Sequence, residues 1–260
     1  ALLLAGLVSG VPVRVTEPLR SRDHTERMLR AAGVNVTDSS LPSGHQVSLT
    51  PAAQLTPLDL SVPGDFSSAA FLLAAALIGV VPELRVRDVG VNPTRTGLLE
   101  ILQHMGAELE LDNRHHQAGE PVADLSARST RLQGVRVPPE LVPRTIDELP
   151  ILAILAARAD GETEIRGAAE LRVKESDRIR TLVENLRSVG VQTEELHDGF
   201  VIQGTDGPLR GSVTTRMDHR IAMAFGVLAA QPGNAIVLDD PSIVAVSYPG
   251  FWHALQGAVP

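Results

Sequence analysis

Glu170-Leu-Arg-Val-Lys-Glu-Ser-Asp-Arg-Ile-Arg180 carries four cations (Arg172, Lys174, Arg178, Arg180) and three carboxylates (Glu170, Glu175, Asp177) within eleven residues. A helical period begins in this stretch, with Ile179, Leu182, Val183 and Leu186 at i, i+3, i+4 and i+7. Lys174 and Arg178 are four apart and off that apolar stripe, which puts them together at the helix start. Cations there oppose the helix dipole, and a bound phosphate or carboxylate removes the conflict. The plainer reading is a solvated charged turn. The flanking sequence decides the fold around it. An Ala/Leu-rich helical run opens at Asp147-Glu-Leu-Pro150 and continues to Ala159, followed by a short strand, Thr163–Arg166. Beyond the charged stretch come a helix over Asp177–Val189, then Gly190, then a strand over Val191–Glu195.

That unit recurs. Ahead of it stands Asp65-Phe-Ser-Ser-Ala-Ala70, helical to Ile78, then strand Glu83–Val89, loop Asn92-Pro-Thr-Arg95, helix Gly97–Met105, Gly106 and strand Ala107–Leu111. A truncated version opens the chain: helix Ala1–Val8, strand Pro12–Glu17, loop Leu19–Asp23, helix His24–Ala32, Gly33 and strand Val34–Thr37. A last one starts at Asp218-His-Arg-Ile221, is helical to Ala230, and ends with strand Ala235–Leu238 and helix Pro249–Ala258. Gly33, Gly106 and Gly190 each follow a helix directly, where a left-handed residue closes it at little cost. Alternating strands and helices predict an α/β fold of duplicated βαβ-type modules. Residues 38–62 and 112–138 are polar, with Ser, Pro and Gly and short alternating strands such as Gln46–Leu49. The first is the better boundary, dividing the chain into a remnant domain over 1–60 and most of a second domain, about three units, over 61–260.

Composition narrows the function. The chain has 260 residues, 43% hydrophobic and 21% charged, with only 3% aromatic, so its core is aliphatic. A net charge of -8 argues against a nucleic-acid surface and requires any anion to be held by a local cluster of cations. The absence of cysteine excludes disulfides, thiolate metal sites and a cysteine nucleophile within this segment. The eight His have no HExxH-like spacing, His115-His116 reads as solvent-facing, and no metal site is expected. No stretch resembles a transmembrane span, and Ala1–Val8 lacks the basic start of a signal peptide. A chain opening inside an apolar helical run is expected to be a fragment, and a cytoplasmic one.

The repeat brings equivalent loops to one end. Asp65, Asp147 and Asp218 stand at helix starts, and Arg22, Arg95 and Arg178 near second helices, so units packed about an axis point them at one cleft. N-capping is the structural role open to all three aspartates. Asp147 also falls where the basic loops converge, and a carboxylate held ionised by cations can take a proton from a hydroxyl. Glu175, between Lys174 and Arg178, is in a similar position. Arg220 at its helix start is expected to join Lys174 and Arg178 in a two-anion pocket, and Ser21-Arg22 to form a further phosphate site. Neither GxxxxGK[ST] nor GxGxxG is present, which argues against a glycine-cradled nucleotide.

Several motifs together resemble the 5-enolpyruvylshikimate-3-phosphate (EPSP) synthase family. They are Leu171-Arg-Val-Lys-Glu-Ser-Asp-Arg178, Met217-Asp-His-Arg-Ile-Ala-Met223, Pro63-Gly-Asp-Phe-Ser-Ser-Ala69, Ser21-Arg-Asp-His-Thr-Glu26, Gly119-Glu-Pro-Val-Ala-Asp124 and Ile146-Asp-Glu-Leu-Pro150. The resemblance is collinear over nearly the whole chain. It implies an inverted α/β architecture of βαβαββ units, enolpyruvyl transfer from phosphoenolpyruvate to shikimate 3-phosphate, and no redox cofactor. It also implies a monomer when complete, with no nucleic-acid or membrane partner. By position, Asp147 resembles the carboxylate that deprotonates the attacking hydroxyl, and Glu175 the acid acting at the phosphoenolpyruvate methylene. Lys174 resembles a ligand near the reacting centre, Arg178 and Arg220 the phosphoenolpyruvate grip, and Ser21 and Arg22 part of the shikimate 3-phosphate clamp. Val246 stands where some branches carry a further Lys, and Glu170 where some carry Asn. The family's N-terminal substrate motifs are missing. The competing readings are an enzyme like UDP-N-acetylglucosamine enolpyruvyl transferase, and a non-catalytic α/β binding domain.

Overall fold

Four stretches rich in Ala and Leu become helices whose neighbours in sequence are strands. The computed structural model describes residues 1–258. The first segment runs α1 (Leu2–Ser9), β1 (Val13–Glu17), α2 (His24–Ala31), β2 (Asn35–Leu41) and β3 (Gly44–Thr50). The second holds α3 (Phe66–Leu77), β4 (Glu83–Gly90), α4 (Gly97–His104), β5 (Leu109–Gln117) and β6 (Glu120–Arg128). The third holds α5 (Leu149–Ala157), β7 (Glu162–Ile165), α6 (Arg178–Ser188), β8 (Gln192–Leu196) and β9 (Gly199–Gln203). The last comprises β10 (Arg210–Val213), α7 (His219–Ala230), β11 (Ala235–Leu238) and α8 (Phe251–Ala258).

Three sheets share one pattern, with strand orders β1-β3-β2, β4-β6-β5 and β7-β9-β8, all antiparallel. The strand ending each unit therefore sits in the middle of its sheet. Ahead of α3 and α5, single parallel bridges (Gly64 with Val89; Gln133 with Asp160 and Arg136 with Glu164) supply a leading strand. In the last unit the leading strand is β10, paired in parallel with β11. The unit is thus βαβαββ, as the family resemblance implies. β11 occupies the position of β4 and β7, and among the described residues its second edge carries no partner; Val237 on it is 67% exposed.

The return strands β6 and β9 and the leading strand β10 have no counterpart in the sequence reading, and the polar segment 112–138 contains the end of β5 and all of β6 before an irregular stretch. β6 is a central strand buried from Val122 to Ala127, so it lacks the alternation that marks a half-buried strand. The helices behave as expected. Gly33, Gly106 and Gly190 have φ of 84°, 77° and 100°, the left-handed closure their positions require.

The sheets lie outside and helices α3, α5 and α7 pack against one another inside. Every residue of α5 is buried, as are ten of the twelve in α3 and Ile221–Leu228 of α7. A helix apolar on all sides has no other stable place in a water-exposed fold. One hydrophobic cluster draws on these helices and extends from Phe66 to Leu255, while a separate small cluster joins Leu3, Leu29, Val34, Val36, Val47 and Leu49. Among the described residues no helix is long and apolar enough to cross a membrane.

Candidate active site

The N-termini of α3, α5 and α7 meet at one end of this core, so three helix dipoles present their positive ends together. Asp65 caps α3, accepting from the Ser68 N–H at 2.8 Å, and Asp218 caps α7, accepting from the Arg220 N–H at 3.0 Å. Asp147 does not cap α5. Glu148 holds the N-cap position and makes no side-chain cap hydrogen bond. The Asp147 carboxylate is thereby free of a helical role and pairs with the guanidinium of Arg22 from the loop before α2.

Two further cations, Arg220 and Lys174, converge on Asp147. Arg220, on the first turn of α7, donates from Nη1 to the Asp147 carbonyl at 3.0 Å, leaving Nε and Nη2 without acceptors among the described residues. Burial pushes the Asp147 carboxyl up, but the Arg22 hydrogen bond and the charges of Arg220, Arg22 and Lys174 outweigh it and hold the group below its ordinary value. Asp147 is therefore ionised at neutral pH and available as a proton acceptor.

Lys174, beyond a 3-10 turn over Ala169–Val173, is three-quarters covered and pairs with Glu170. Glu170 is thus an acidic neighbour of that lysine. Arg178 departs from expectation: it does not sit free beside Lys174 but is the largest fully buried side chain, 1% exposed. Its Nε and Nη2 grip both oxygens of Asp218, itself 0% exposed, at 2.8 and 3.2 Å. Nη2 also reaches Glu175 at 2.5 Å, and Ser176 Oγ donates to Asp218 at 3.0 Å. Burial would raise the Asp218 carboxyl, yet the Arg178 fork keeps it below its usual range. Since Asp218 also receives the Arg220 N–H, the two arginines meet through one carboxylate, with Arg178 Nη1 the arm lacking an acceptor among the described residues.

Ser21 is drawn elsewhere: its N–H and hydroxyl both donate to Glu17, at 2.9 and 2.6 Å. With Arg22 it lines a cavity of about 380 Å³ that also includes Glu17, Thr25, Glu26 and Val47. Val246 is 74% exposed and offers no cation. The two residues before the Asp218 cap, Arg216 and Met217, have φ of 51° and 58°, a rare left-handed pair of non-glycine residues.

Sequence reasoning missed a second tier. Glu148 is 2% exposed and accepts from Ser67 Oγ, which in turn accepts from Arg95 Nη2 at 2.8 Å; Arg95 Nη1 reaches Asp65 at 3.2 Å. His219 is pushed below its ordinary value by burial and by Arg220, so it is neutral at pH 7. The signal for both lay in plain view, each residue being adjacent to one already singled out. Among the described residues no three His, Asp or Glu are arranged to hold a metal ion. The arrangement can hold two anions and remove a proton between them.

Comparison with known proteins identifies the family. The family described as EPSP synthase (3-phosphoshikimate 1-carboxyvinyltransferase) matches residues 1–255. The 3-phosphoshikimate 1-carboxyvinyltransferases of Desulforudis audaxviator and Aquifex aeolicus are each 47% identical, over 98% and 100% of this chain. The chain spans 59–60% of the length of those curated relatives. An EPSP synthase structure from Acinetobacter baumannii superposes with a TM-score of 0.90 at 40% identity, covering 99% of this chain and 59% of that one. The enolpyruvyl transferase NikO from Streptomyces tendae, at 19% identity and a TM-score of 0.70, shares the fold.

Proposed function

This chain belongs to the EPSP synthase family, and from that premise we propose that it forms part of a 3-phosphoshikimate 1-carboxyvinyltransferase. The reaction joins the 5-hydroxyl of shikimate 3-phosphate to C2 of phosphoenolpyruvate, then expels inorganic phosphate. Asp147 takes the hydroxyl proton as the C–O bond forms, and C3 of phosphoenolpyruvate gains a proton to become a methyl group. Loss of that proton from C3 and departure of phosphate restore the double bond in the product. Glu175 is our assignment for the proton at C3. Arg220, with the free arm of Arg178, holds phosphoenolpyruvate, while Lys174 stabilises the reacting centre. Ser21 and Arg22 belong to the shikimate 3-phosphate clamp, in which substrate phosphate replaces Glu17 and Asp147 as their partner.

One observation carries the reading. A carboxylate kept ionised by cations from three separate segments, and spared from helix capping, is a base placed between anion sites. Charge stabilisation by oriented cations supplies most of the rate in such sites, and each misplaced cation costs several kcal/mol. We therefore assign the remnant domain to 1–60, the larger domain to 61–260, and full activity only to a polypeptide of the relatives' length. The test measures phosphate release by that full-length polypeptide with both substrates, and by the 260-residue chain alone. Release that requires both substrates and the full length supports the assignment. No release from the full-length polypeptide, or full activity from the chain alone, refutes it.

A further inference from the structure

Glu148 is next to the proposed base, yet no step of the reaction uses it. It is 2% exposed, and its neighbours come from every element around it. Ser67 on α3 donates to Oε1, and Arg95, ahead of α4, donates to that same serine. Arg220 on α7 is bonded to the adjoining Asp147 carbonyl, and the Asp147 carboxylate lies on the same turn. Glu148 Oε2 takes no hydrogen bond among the described residues, while the buried Nε of Arg95 has no acceptor. The carboxyl therefore has one oxygen anchored and the other without a partner, and it lies within the field of Arg95 and Arg220, both of which have donors to spare.

We propose that Glu148 is a positioning residue of this site, whose carboxyl, anchored by Ser67 beside the Arg95–Ser67 bond and next to the Asp147 carbonyl that holds Arg220, governs how much of the Arg220 charge is free for an anionic substrate. When Glu148 is neutral, Arg220 has no rival for its unused donors. When Glu148 is ionised, it competes with the substrate for the same guanidinium. Burial raises this carboxyl to about 7, against the pull of Ser67, Arg220 and Arg95 and with a push from Asp147, so the exchange falls within the working range of pH. That the anion is phosphoenolpyruvate rests on the function proposed above.

The experiment uses the full-length polypeptide, wild type and Glu148→Gln, the latter a neutral side chain that still accepts from Ser67. Phosphoenolpyruvate affinity is measured by calorimetry at pH 6 and pH 8. Wild type should weaken on going to pH 8, by up to about tenfold per pH unit above the carboxyl midpoint, and E148Q should lose that extra weakening. Titration of the ligand phosphate is common to both proteins and cancels in the comparison. In parallel, the Glu148 carboxyl is titrated by ¹³C NMR in wild type, Arg220→Gln and Arg95→Gln, the E148Q spectrum identifying its resonance. Removing either cation should raise the midpoint, and two variants guard against one failing to fold. Equal pH ratios in wild type and E148Q, or a midpoint unmoved by both arginine variants, would overturn the proposal. Absence of phosphoenolpyruvate binding at both pH values would instead sink the functional reading, and the carboxyl titration would then decide the coupling alone.

Discussion

Asp218→Asn tests the buried pair on which α7 and the charged stretch depend. Arg178 and Asp218 are 1% and 0% exposed, and their fork uses both oxygens of the carboxylate, at 2.8 and 3.2 Å. Removing one partner of such a pair leaves an uncompensated charge and costs about 3–5 kcal/mol. Two contacts place this substitution at the lower end. Glu175 still accepts from Arg178, and the Asn oxygen still accepts from the Arg220 N–H as a cap. A loss of about 3 kcal/mol corresponds to a fall in Tm of about 6–12 °C for a chain of this size. Arg178→Lys should fall similarly, because an ammonium cannot span both oxygens. That goes beyond the role implied from sequence, in which Arg178 serves the phosphoenolpyruvate grip alone. The double variant Arg178→Met/Asp218→Asn should be more stable than Asp218→Asn alone, since no charge is left stranded. Asp218 titrates below its ordinary 3.8, so the pair's contribution is complete above that value and is lost as pH falls through the lower folded-state value. Calorimetry at pH 7 decides the matter: an Asp218→Asn melting temperature within about 2 °C of wild type would show that the buried fork does not hold the fold.

Asp147→Asn in the full-length polypeptide should cut turnover by about 10²–10⁴ while phosphoenolpyruvate binding persists. Because Asp147 caps no helix, Asp147→Ala should also avoid the ~1 kcal/mol loss typical of a deleted cap, as thermal melts would register. Arg220→Lys keeps the charge but loses the fork. It should raise the phosphoenolpyruvate KM by about tenfold to a hundredfold, the worth of one charge-assisted hydrogen bond, and unchanged kinetics would remove Arg220 from the grip. Glu148 is raised from 4.5 to about 7, so its stabilising contribution is complete below the lower value and is lost as pH rises through the upper one. Denaturant unfolding should show wild type losing up to about 3 kcal/mol relative to Glu148→Gln between pH 4.5 and 8.

The sequence-to-structure relation was uneven, for identifiable reasons. Helices α3, α5 and α7 were legible because an all-apolar run of this length has few other fates, and their Asp-led starts pointed to the end where the site lies. The structure brings Arg22, Arg220 and Lys174 around Asp147, from loops that the repeat had pointed at one cleft. The burial of Arg178 was not legible, because it depends on Asp218, forty residues away and readable from sequence as a cap. Its period relative to Ile179 marks it as polar, and nothing local tells a solvated arginine from one enclosed with a partner. β6 was hidden by the opposite effect, since a strand covered on both faces loses its alternation. The place of Glu148 beside Asp147 was in view, but its burial was not, because its environment comes from Ser67, Arg95 and Arg220, none of them near it in sequence.

Among the described residues, the second edge of β11 is an open flank of defined shape. In the sheets of β4 and β7, the matching flank is filled by a strand running the opposite way, β6 or β9. A four-residue ribbon with unspent N–H and C=O groups and an exposed Val237 will accept such a strand from whatever polypeptide supplies one. Handled by itself at high concentration, the chain therefore has a built-in route to sticking edge to edge with its own copies. The same flank makes it a natural half of a complementation pair: a short hairpin added in trans could dock there, cover the edge and report assembly.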